Sequence, residues 1–420
     1  MGRPDHSGAG AGTTAPWTRN LRGPDGRLFG EATPGPDETS FQVDNTSQEY
    51  FNSPYYAQHA NQVLAVPTDP PAAPLELQQI LGADFLAPII AANRIHFHVA
   101  GDTGASQEAN IGAEATVADA MTADLSAGAA TDVPAFLFHL GDVIYNFGEA
   151  QYYYDQFYEP FRGYDRPIFA IPGNHDGAVT YMNGGSRPDV PSLQAFIANF
   201  CTATPQPPQD AGGLPRTTMT QPGVYFTLDA PLVSIIGLYT NVLEGPGVIS
   251  DQNGAYPALD GDQQHAWLVG ELRRLAPLRQ AHERAVILAC HHPPASADVT
   301  HGGATGLAND LDSAFEAAGL WPDAILSGHA HLYQRFSRSV NGRQIPYIVC
   351  GSGGHNRTMP AGEQAGEAPR TWGQYTLQVG PTVEYGYLTA TVDMSARTLS
   401  FAFTSPGNPS SSDQILVELT

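Results

Sequence analysis

The chain has 420 residues, a formal charge of −23 and 42% hydrophobic residues, so it can bury the core of one large domain or of two domains. All of its basic residues are arginines because the sequence contains no lysine, which excludes Schiff-base catalysis and a P-loop lysine. The acidic charge also argues against a nucleic acid as the main partner, since such binding depends on clustered basic side chains. A small anionic substrate would need positive charge from another source, such as metal ions.

The N-terminal part of the chain differs in amino-acid composition from the rest. Residues 1–90 are rich in Gly, Pro, Thr and Asp at their start and are predicted to form an arm that leads into short helices from about residue 74. The first residues contain no apolar segment typical of a secretion signal, and no apolar run approaches the roughly 20 residues that span a bilayer. We therefore expect a soluble protein with no membrane partner, cytoplasmic as written or exported if a signal has been removed.

From Arg94 onwards, short apolar runs recur, each followed by glycine and polar residues, and they predict buried β-strands. Helix-like stretches such as EATVADAMTADL and DGDQQHAWLVGELRRLAPL lie between some of them. Strands that alternate with helices predict an α/β layered domain over residues 91–420, with sheet covered on both faces. In chain order the runs are RIHFHVA, AFLFHL, RPIFAIP, LVSIIGLYT, RAVILAC, DAILS and IPYIVC.

Polar side chains follow five of these predicted strands, at the edge where ligands bind in α/β sheets. They are Asp102 in GDTG, Asp142 and Tyr145 in GDVIY, Asn174 and His175 in GNHD, His291 and His292 in HHPP, and His329 and His331 in GHAH. Two metal ions about 3.5–4 Å apart need a bridging carboxylate and separate terminal ligands, which this mixture supplies. Imidazole suits iron, zinc and similar ions, and carboxylate and phenolate oxygens favour a trivalent ion. The sequence therefore predicts a binuclear metal site.

These five blocks, in this order over roughly residues 94–356, resemble the calcineurin-like metallophosphoesterases and, within them, the purple acid phosphatases. The wider superfamily has a histidine in its first block, where this sequence has Gly104. Purple acid phosphatases also lack that histidine and use the tyrosine of GDxxY, and Tyr145 stands in the matching place. The resemblance implies a four-layer α/β sandwich with two mixed β-sheets, the metallophosphoesterase catalytic domain, over residues 91–420.

The resemblance also implies roles for individual residues. Metal one would be held by Asp102, Asp142, Tyr145 and His331, and metal two by Asp142, Asn174, His291 and His329, with Asp142 bridging. The family pattern of a ligand histidine, one residue and a proline favours His291 over His292, and His292 as the ligand remains an open alternative. His175 and His301 match histidines that face the substrate, and either could protonate the leaving alkoxide.

The activity that the resemblance implies is hydrolysis of phosphate monoesters by a metal-bound hydroxide at an Fe(III)–M(II) centre, where M is iron, zinc or manganese. Two alternatives stay open: a phosphodiesterase acting on nucleotides or lipid head groups, and a non-catalytic metal-bearing binding module. The expected partner is a small phosphate ester and not a nucleic acid. The physiological substrate and the oligomeric state are not predicted.

Other side chains are expected to be structural. Three histidines inside apolar strands are predicted to be hydrogen-bonded core residues: His96, His98 and His139. The sequence has only three cysteines, Cys201, Cys290 and Cys350, which form no disulfide framework. The last two end apolar runs, so buried thiols are predicted there. His355 in GSGGHNR either lines the pocket or belongs to a glycine-rich turn.

Overall fold

The computed structural model describes most of the chain from residue 66 onwards. Described are residues 66–105, 110–129, 131–145, 148, 150–177, 193–241, 247–250, 262–298, 301–356 and 368–420. They form two mixed β-sheets packed face to face, with helices on the outer face of each sheet. The predicted fold class, a four-layer α/β sandwich with two mixed sheets, is confirmed.

The strands of the described residues are numbered here in chain order. Their bounds are β1 Leu75–Glu76, β2 Arg94–Ala100, β3 Leu137–His139, β4 Ile168–Ala170, β5 Phe226–Ala230, β6 Val233–Gly237, β7 Ala285–Cys290, β8 Ala324–Ser327, β9 Tyr333–Val340, β10 Arg343–Cys350, β11 Arg370–Trp372, β12 Tyr375–Thr382, β13 Tyr387–Asp393, β14 Thr398–Thr404 and β15 Asp413–Glu418.

The helices are numbered in the same way. The α-helices are α1 Leu77–Leu81, α2 Ala83–Ala92, α3 Ile111–Asp124, α4 Asn174–Gly177, α5 Gln194–Phe200, α6 Gln263–Gln280 and α7 Thr305–Ala318. A π-helical turn spans Tyr154–Tyr158. Short 3-10 turns lie at Ala150–Tyr152, Gln209–Ala211 and Pro409–Ser411.

The two sheets differ in size but share a parallel centre. The larger sheet has nine strands in the order β1-β5-β6-β7-β8-β10-β9-β12-β11, and β6, β7, β8 and β10 run parallel to one another. The smaller sheet has the order β15-β14-β13-β2-β3-β4, and β2, β3 and β4 are parallel. The C-terminal strands β13 to β15 extend it in antiparallel fashion.

Apolar side chains fill the space between the sheets and also cover their outer faces. Phe97 and Phe138 of the smaller sheet pack in one cluster with Ile235, Ile287 and Leu326 of the larger sheet, and each is at most 1% exposed. Burial of each such side chain contributes about 1.5–3 kcal/mol. Helix α3 and the π-helical turn cover the smaller sheet, and α6 and α7 cover the larger one. Central strands buried on both faces explain the continuous apolar runs of the sequence.

The strands predicted from apolar runs are all present, as β2, β3, β4, β6, β7, β8 and β10. The helix-like stretches correspond to α3 and α6. No strand is predicted from residues 370–418, yet β11 to β15 occupy this segment. Strands β13 and β14 alternate buried with half-buried residues and contain several threonines, so they lack the continuous apolar signal of the central strands.

Several further expectations can be compared with the fold. The short helices predicted near residue 74 onwards are α1 and α2, whereas residues 1–65 of the predicted arm lie outside the described residues. The division of the chain near residue 90 stays a prediction. Cys290 and Cys350 are buried free thiols, as expected, and Cys201 is also free. In the described part of the chain, no helix has the length and apolar character needed to cross a bilayer.

Candidate metal centre

The predicted site residues lie where the carboxyl ends of strands from both sheets meet. Asp102 follows β2, Asp142 follows β3, and Asn174 follows β4 in the smaller sheet. His291 follows β7 and His329 follows β8 in the larger sheet. Parallel pairing of β2 with β3 and β4, and of β7 with β8, brings these side chains to one edge of the sandwich. All five residues are buried.

Three of these residues have a left-handed backbone conformation. The φ angle is 57° at Asp102, 52° at Asp142 and 67° at His329. Non-glycine residues adopt this conformation at a cost of about 1–3 kcal/mol each, and such positions cluster at functional sites. Hydrogen bonds hold two of the turns, because Asp102 N donates to Gly141 O over 3.0 Å and His329 N donates to Asp102 Oδ2 over 2.9 Å.

Asp142, His291 and His329 form a first group of potential metal ligands, whose ligand atoms all lie within 4.8 Å of one another. His291 Nε2 is 3.3 Å from Asp142 Oδ2. Asn174 Oδ1 lies 3.0 Å from His291 Nε2 and 3.0 Å from His329 Nδ1. The structure therefore brings together the four residues predicted for metal two.

Asp102, Asp142 and His331 form a second group, again with ligand atoms within 4.8 Å. The Tyr145 hydroxyl lies 3.2 Å from Asp102 Oδ1 and 3.3 Å from His331 Nε2. His331 Nδ1 contacts Asn356 Oδ1, which leaves Nε2 as the nitrogen on the side of the carboxylates. The four residues predicted for metal one also lie together, and Asp142 belongs to both groups.

The residues present fit a pair of metal ions. Asp142 Oδ1 accepts a hydrogen bond from His175 N over 2.9 Å, whereas the buried Asp142 Oδ2 has no partner with hydrogen-bond geometry among the described residues and faces His291 Nε2 over 3.3 Å. A buried carboxylate is stabilised by a positive charge beside it, which a protonated imidazole or a metal ion can supply. His291 Nδ1 lies 2.9 Å from Leu140 O, which orients Nε2 towards Asp142. Gly141 permits this approach, because a Cβ there would lie 2.6 Å from His291 Nδ1 and φ is 99°.

Burial and neighbouring charges set the protonation of the centre. Burial alone would raise the pKa of Asp142, but His291 and His175 together hold that pKa well below its usual range. Burial disfavours a charge on His291, yet Asp142 raises the pKa of His291 to about 9. Burial raises the pKa of Asp102 to about 7; the charge of His291 lowers this pKa and the charge of Asp142 raises it. Asp142 therefore favours a proton on His291, and a metal ion bound at His291 would displace that proton.

The other candidate ligands are neutral before a metal binds. Burial and the neighbouring histidines hold the pKa values of His329 and His331 well below the usual range. Neutral imidazole is the form that binds metals. Burial and the carboxylates of Asp102 and Asp142 raise the pKa of Tyr145 well above its usual range. A phenolate at Tyr145 would therefore need a cation beside it.

Both histidines predicted as acids lie beside the two ligand groups. The centroid of the His175 ring is 4.3 Å from that of Tyr145. The His301 ring is 4.5 Å from the His329 ring and 5.2 Å from the His331 ring, measured between centroids. Both side chains are buried. Their catalytic role stays a prediction.

Two neighbouring polar residues orient the histidines next to the ligands. Asp298 Oδ2 accepts a hydrogen bond from His301 N over 3.0 Å and lies 3.0 Å from His301 Nδ1, so that ring nitrogen is occupied by Asp298. His292 Nδ1 lies 2.8 Å from Thr240 Oγ1. Of the two adjacent histidines, His291 belongs to one of the ligand groups of the described residues, and its assignment as the ligand in preference to His292 stays a prediction.

The three strand histidines form hydrogen bonds with groups other than the candidate ligands; His98 and His139 are buried, as expected for core residues, whereas His96 is half-buried. Their side-chain partners are Thr391 for His96, Tyr164 and Asp124 for His98, and Thr103 for His139. Burial lowers the pKa of His139 to about 3, so this imidazole is neutral. His355, left open by the sequence, stacks on the Tyr145 ring with centroids 3.4 Å apart.

Three residues that support the site were not predicted from the sequence. Asp176 accepts hydrogen bonds from Gly173 N over 2.8 Å and from Val143 N, and its place in the GNHD block could have indicated a role. Asp298 lies three residues before His301, a spacing that allows a local hydrogen bond. Gln156 contacts Tyr145 from a tyrosine-rich segment, and nothing in the local sequence indicates that contact.

The fold and the two ligand groups define a two-sheet α/β protein of the metal-dependent phosphoesterase class, and comparisons with known proteins agree. A family model described as calcineurin-like phosphoesterase matches residues 95–333, more than half of the chain. No curated protein matches the chain. The chain belongs to the calcineurin-like phosphoesterase family. This family hydrolyses phosphoesters and uses a dinuclear metal centre.

Two solved structures are similar to this chain at low sequence identity. A purple acid phosphatase from yellow lupin (Lupinus luteus) seeds is 15% identical with a TM-score of 0.51, and the match covers 77% of this chain and 54% of the lupin chain. This chain thus spans about half the length of the lupin protein. A dimetal phosphatase from Danio rerio is 12% identical with a TM-score of 0.45, and the match covers 78% of this chain and 99% of that chain.

Proposed function

We propose that this chain hydrolyses phosphate monoesters at a binuclear centre of Fe(III) and a divalent ion of iron, zinc or manganese. The observation that carries the proposal is that Asp142 is shared by two ligand groups, one of which adjoins Tyr145. A shared carboxylate suits two adjacent ions, and a phenolate oxygen favours a trivalent ion. We assign Asp102, Asp142, Tyr145 and His331 to the trivalent ion, and Asp142, Asn174, His291 and His329 to the divalent ion.

The chain's own side chains would bind the ester and deliver the proton. When bound, the metal pair would supply an activated water nucleophile and neutralise charge on the phosphoryl oxygens. His175 and His301 would contact the phosphate ester from two sides of the ligand groups, and one of them would protonate the leaving alkoxide. Asp298 keeps His301 Nδ1 occupied, so that the proton would pass through Nε2. Burial of both imidazoles strengthens their contacts with a charged substrate.

This proposal predicts faster hydrolysis of an aryl monophosphate than of the corresponding bis-aryl diester, with an acidic optimum. A monoester carries more negative charge than a diester and gains more from a cationic centre. Low pH favours the protonated form that an imidazole acid needs, and a trivalent ion keeps a water nucleophile ionised at lower pH than a divalent ion does. The check is a pair of pH profiles of kcat/KM on the two substrates, with metal content measured in the same sample.

The other outcomes of this experiment discriminate the alternatives. A preference for the diester, or an optimum well above about pH 8, would support the phosphodiesterase alternative instead, since the acid would then not be an imidazole in its protonated form. Metal-loaded protein that binds phosphate and hydrolyses neither substrate would support a binding module.

Replacing Tyr145 with phenylalanine is expected to abolish a visible absorption band of the iron-loaded protein while leaving the fold intact. A phenolate bound to Fe(III) gives a charge-transfer band, and phenylalanine has no oxygen to bind. The measurement is the absorption spectrum per bound iron. Tyr153→Phe is the matched control, because Tyr153 is equally buried and its hydroxyl has no hydrogen-bond partner in the described residues. A colourless wild type with two zinc ions per chain would contradict the iron assignment and leave the hydrolysis proposal standing.

A further inference from the structure

A glutamine side chain holds the backbone of Tyr145. Tyr145 N donates to Gln156 Oε1 over 2.7 Å, and Gln156 Nε2 donates to Tyr145 O, also over 2.7 Å. This two-bond arrangement reproduces the pairing of a residue with a neighbouring antiparallel strand. Both residues are fully buried, so water does not compete for these bonds. The glutamine thus supplies to Tyr145, in the loop after β3, the two hydrogen bonds that a neighbouring strand would form.

Gln156 lies at the centre of the π-helical turn Tyr154–Tyr158. Such turns are rare and occur frequently at functional sites. Phe157, the next residue, packs in the apolar cluster on the outer face of the smaller sheet. The turn therefore places one polar side chain against the loop after β3 while its neighbour remains in the core.

Two imidazoles confine the Tyr145 ring. His355 covers one face, with the ring planes 10° apart, and the His175 ring centroid lies 4.3 Å from that of Tyr145. The centroids of the two imidazoles are 6.4 Å apart, so they contact the ring on different sides. These contacts limit tilting of the ring. They do not fix how far the hydroxyl extends towards the ligands, which depends on where the backbone is held.

Gly104 keeps the space beside Gln156 free. A Cβ at residue 104 would lie 2.8 Å from Gln156 Oε1, from Ile144 Cα and from Val143 O. Real Cβ atoms do not approach other atoms so closely, so a larger residue would push the glutamine or the loop after β3. Gly104 O also lies 2.7 Å from Nδ1 of His355, the imidazole that stacks on the tyrosine. Gly104 therefore leaves room for the hydrogen bonds between Gln156 and the Tyr145 backbone, and its carbonyl oxygen also contacts the imidazole that stacks on the Tyr145 ring.

We propose that Gln156 is a positioning residue that sets the distance of the Tyr145 hydroxyl from Asp102 and His331. This inference rests on the proposed role of Tyr145 as a metal ligand. Gln156 acts through the backbone of Tyr145 and contacts no ligand atom itself. Since the tyrosine side chain has only two rotatable bonds and its ring is confined, a shift of the backbone moves the hydroxyl by a similar amount.

The chain contains a matched control for this arrangement. Gln264 in α6 is fully buried and makes the same two bonds to a tyrosine backbone, with Tyr239 N donating to Oε1 over 2.8 Å and Nε2 donating to Tyr239 O over 2.8 Å. Tyr239 belongs to neither ligand group. Loss of either glutamine removes the same bonds, but only Gln156 holds a candidate ligand.

The experiment compares Gln156→Met with Gln264→Met, since methionine preserves length and volume and forms neither bond. Crystal structures of the full chain give the distance between the Tyr145 hydroxyl and Asp102 Oδ1, which is 3.2 Å here. We expect Gln156→Met to lengthen it beyond hydrogen-bond range and to shift or weaken the visible band per bound iron. Gln264→Met should lower thermal stability to a similar extent and change neither the distance nor the band.

The inference would be overturned by a Tyr145 hydroxyl that stays within hydrogen-bond range of Asp102 in Gln156→Met, or by equal displacement in both variants. Should Gln156→Met not fold, Gly104→Ala takes its place, because its methyl group presses on Gln156 Oε1 and the same displacement is expected. The crystallographic distance can be measured without metal. Wild-type protein that binds no iron would therefore count against the proposed centre and not against this positioning role.

Discussion

Asp142→Asn is expected to lose both metal ions and the hydrolytic activity together. Asp142 is the residue shared by the two ligand groups, and its carboxylate supplies the negative charge between them. Asparagine keeps the size of the side chain but removes that charge and one oxygen donor. We expect metal affinity to fall by more than the roughly 10–100-fold typical of losing an outer-shell partner. Metal analysis after dialysis and kcat/KM on an aryl monophosphate check this result.

Asp310→Asn is the matched control for this substitution. Asp310 is also buried, and it accepts hydrogen bonds from Ile249 N over 2.9 Å and from Ser250 Oγ over 2.6 Å. It belongs to neither ligand group. The control should bind two metal ions per chain and lose only stability. If Asp142→Asn retained both ions, or if Asp310→Asn lost them equally, the bridging role of Asp142 would be wrong.

His175→Ala is expected to retain both metal ions and to lose kcat by about 10²–10⁴-fold, the usual contribution of one general acid. The His175 backbone nitrogen, which donates to Asp142 Oδ1 over 2.9 Å, remains in the alanine variant, so the bridging carboxylate keeps that contact. The side chain belongs to neither ligand group. Single-turnover rates and metal content of the same preparation separate loss of chemistry from loss of metal.

A buried histidine outside the centre serves as the comparison. His98 is fully buried and lies 3.0 Å from the Tyr164 hydroxyl, so His98→Ala should reduce stability without changing the rate per bound metal pair. An emptied metal position in His175→Ala would assign His175 to the ligands. A rate equal to that of the wild type would leave His301 as the remaining candidate acid.

The candidate ligands can be predicted from the sequence because each follows an apolar run that predicts a strand. Asp102 and Asp142 lie two and three residues after the ends of β2 and β3, and parallel strands bring such positions to one edge of a sheet. The order of the five motifs along the chain then distinguishes these ligands from chance matches to any single motif. The central strands and the two covering helices are readable for the same reason, because burial on both faces leaves a continuous apolar signal.

The contacts of His355 and Gln156 with Tyr145 could not be predicted, because they join segments whose proximity no local sequence pattern indicates. The stacking of His355 on Tyr145 depends on how the end of β10 meets the end of β3. The contact of Gln156 depends on a π-helical turn that no propensity indicates. The strands of the C-terminal segment were not predicted, because one face of β13 and β14 is only half-buried and their sequences therefore lack a continuous apolar run.

The position of β2 in the smaller sheet has a consequence for the order in which this protein matures. Strand β2 leads to Asp102 and pairs on one side with β13, a strand near residue 390. The antiparallel pairing covers six residues of each strand, from Leu388 opposite Val99 to Asp393 opposite Arg94. The ligands are likewise separated along the chain, since residues 102–174 supply one half and residues 291–331 the other. Pairings of such long sequence separation form late, because the entropy of closing the intervening loop must be overcome first. We therefore expect metal ions to bind only after β13 has paired with β2, because that pairing holds the strand that leads to Asp102.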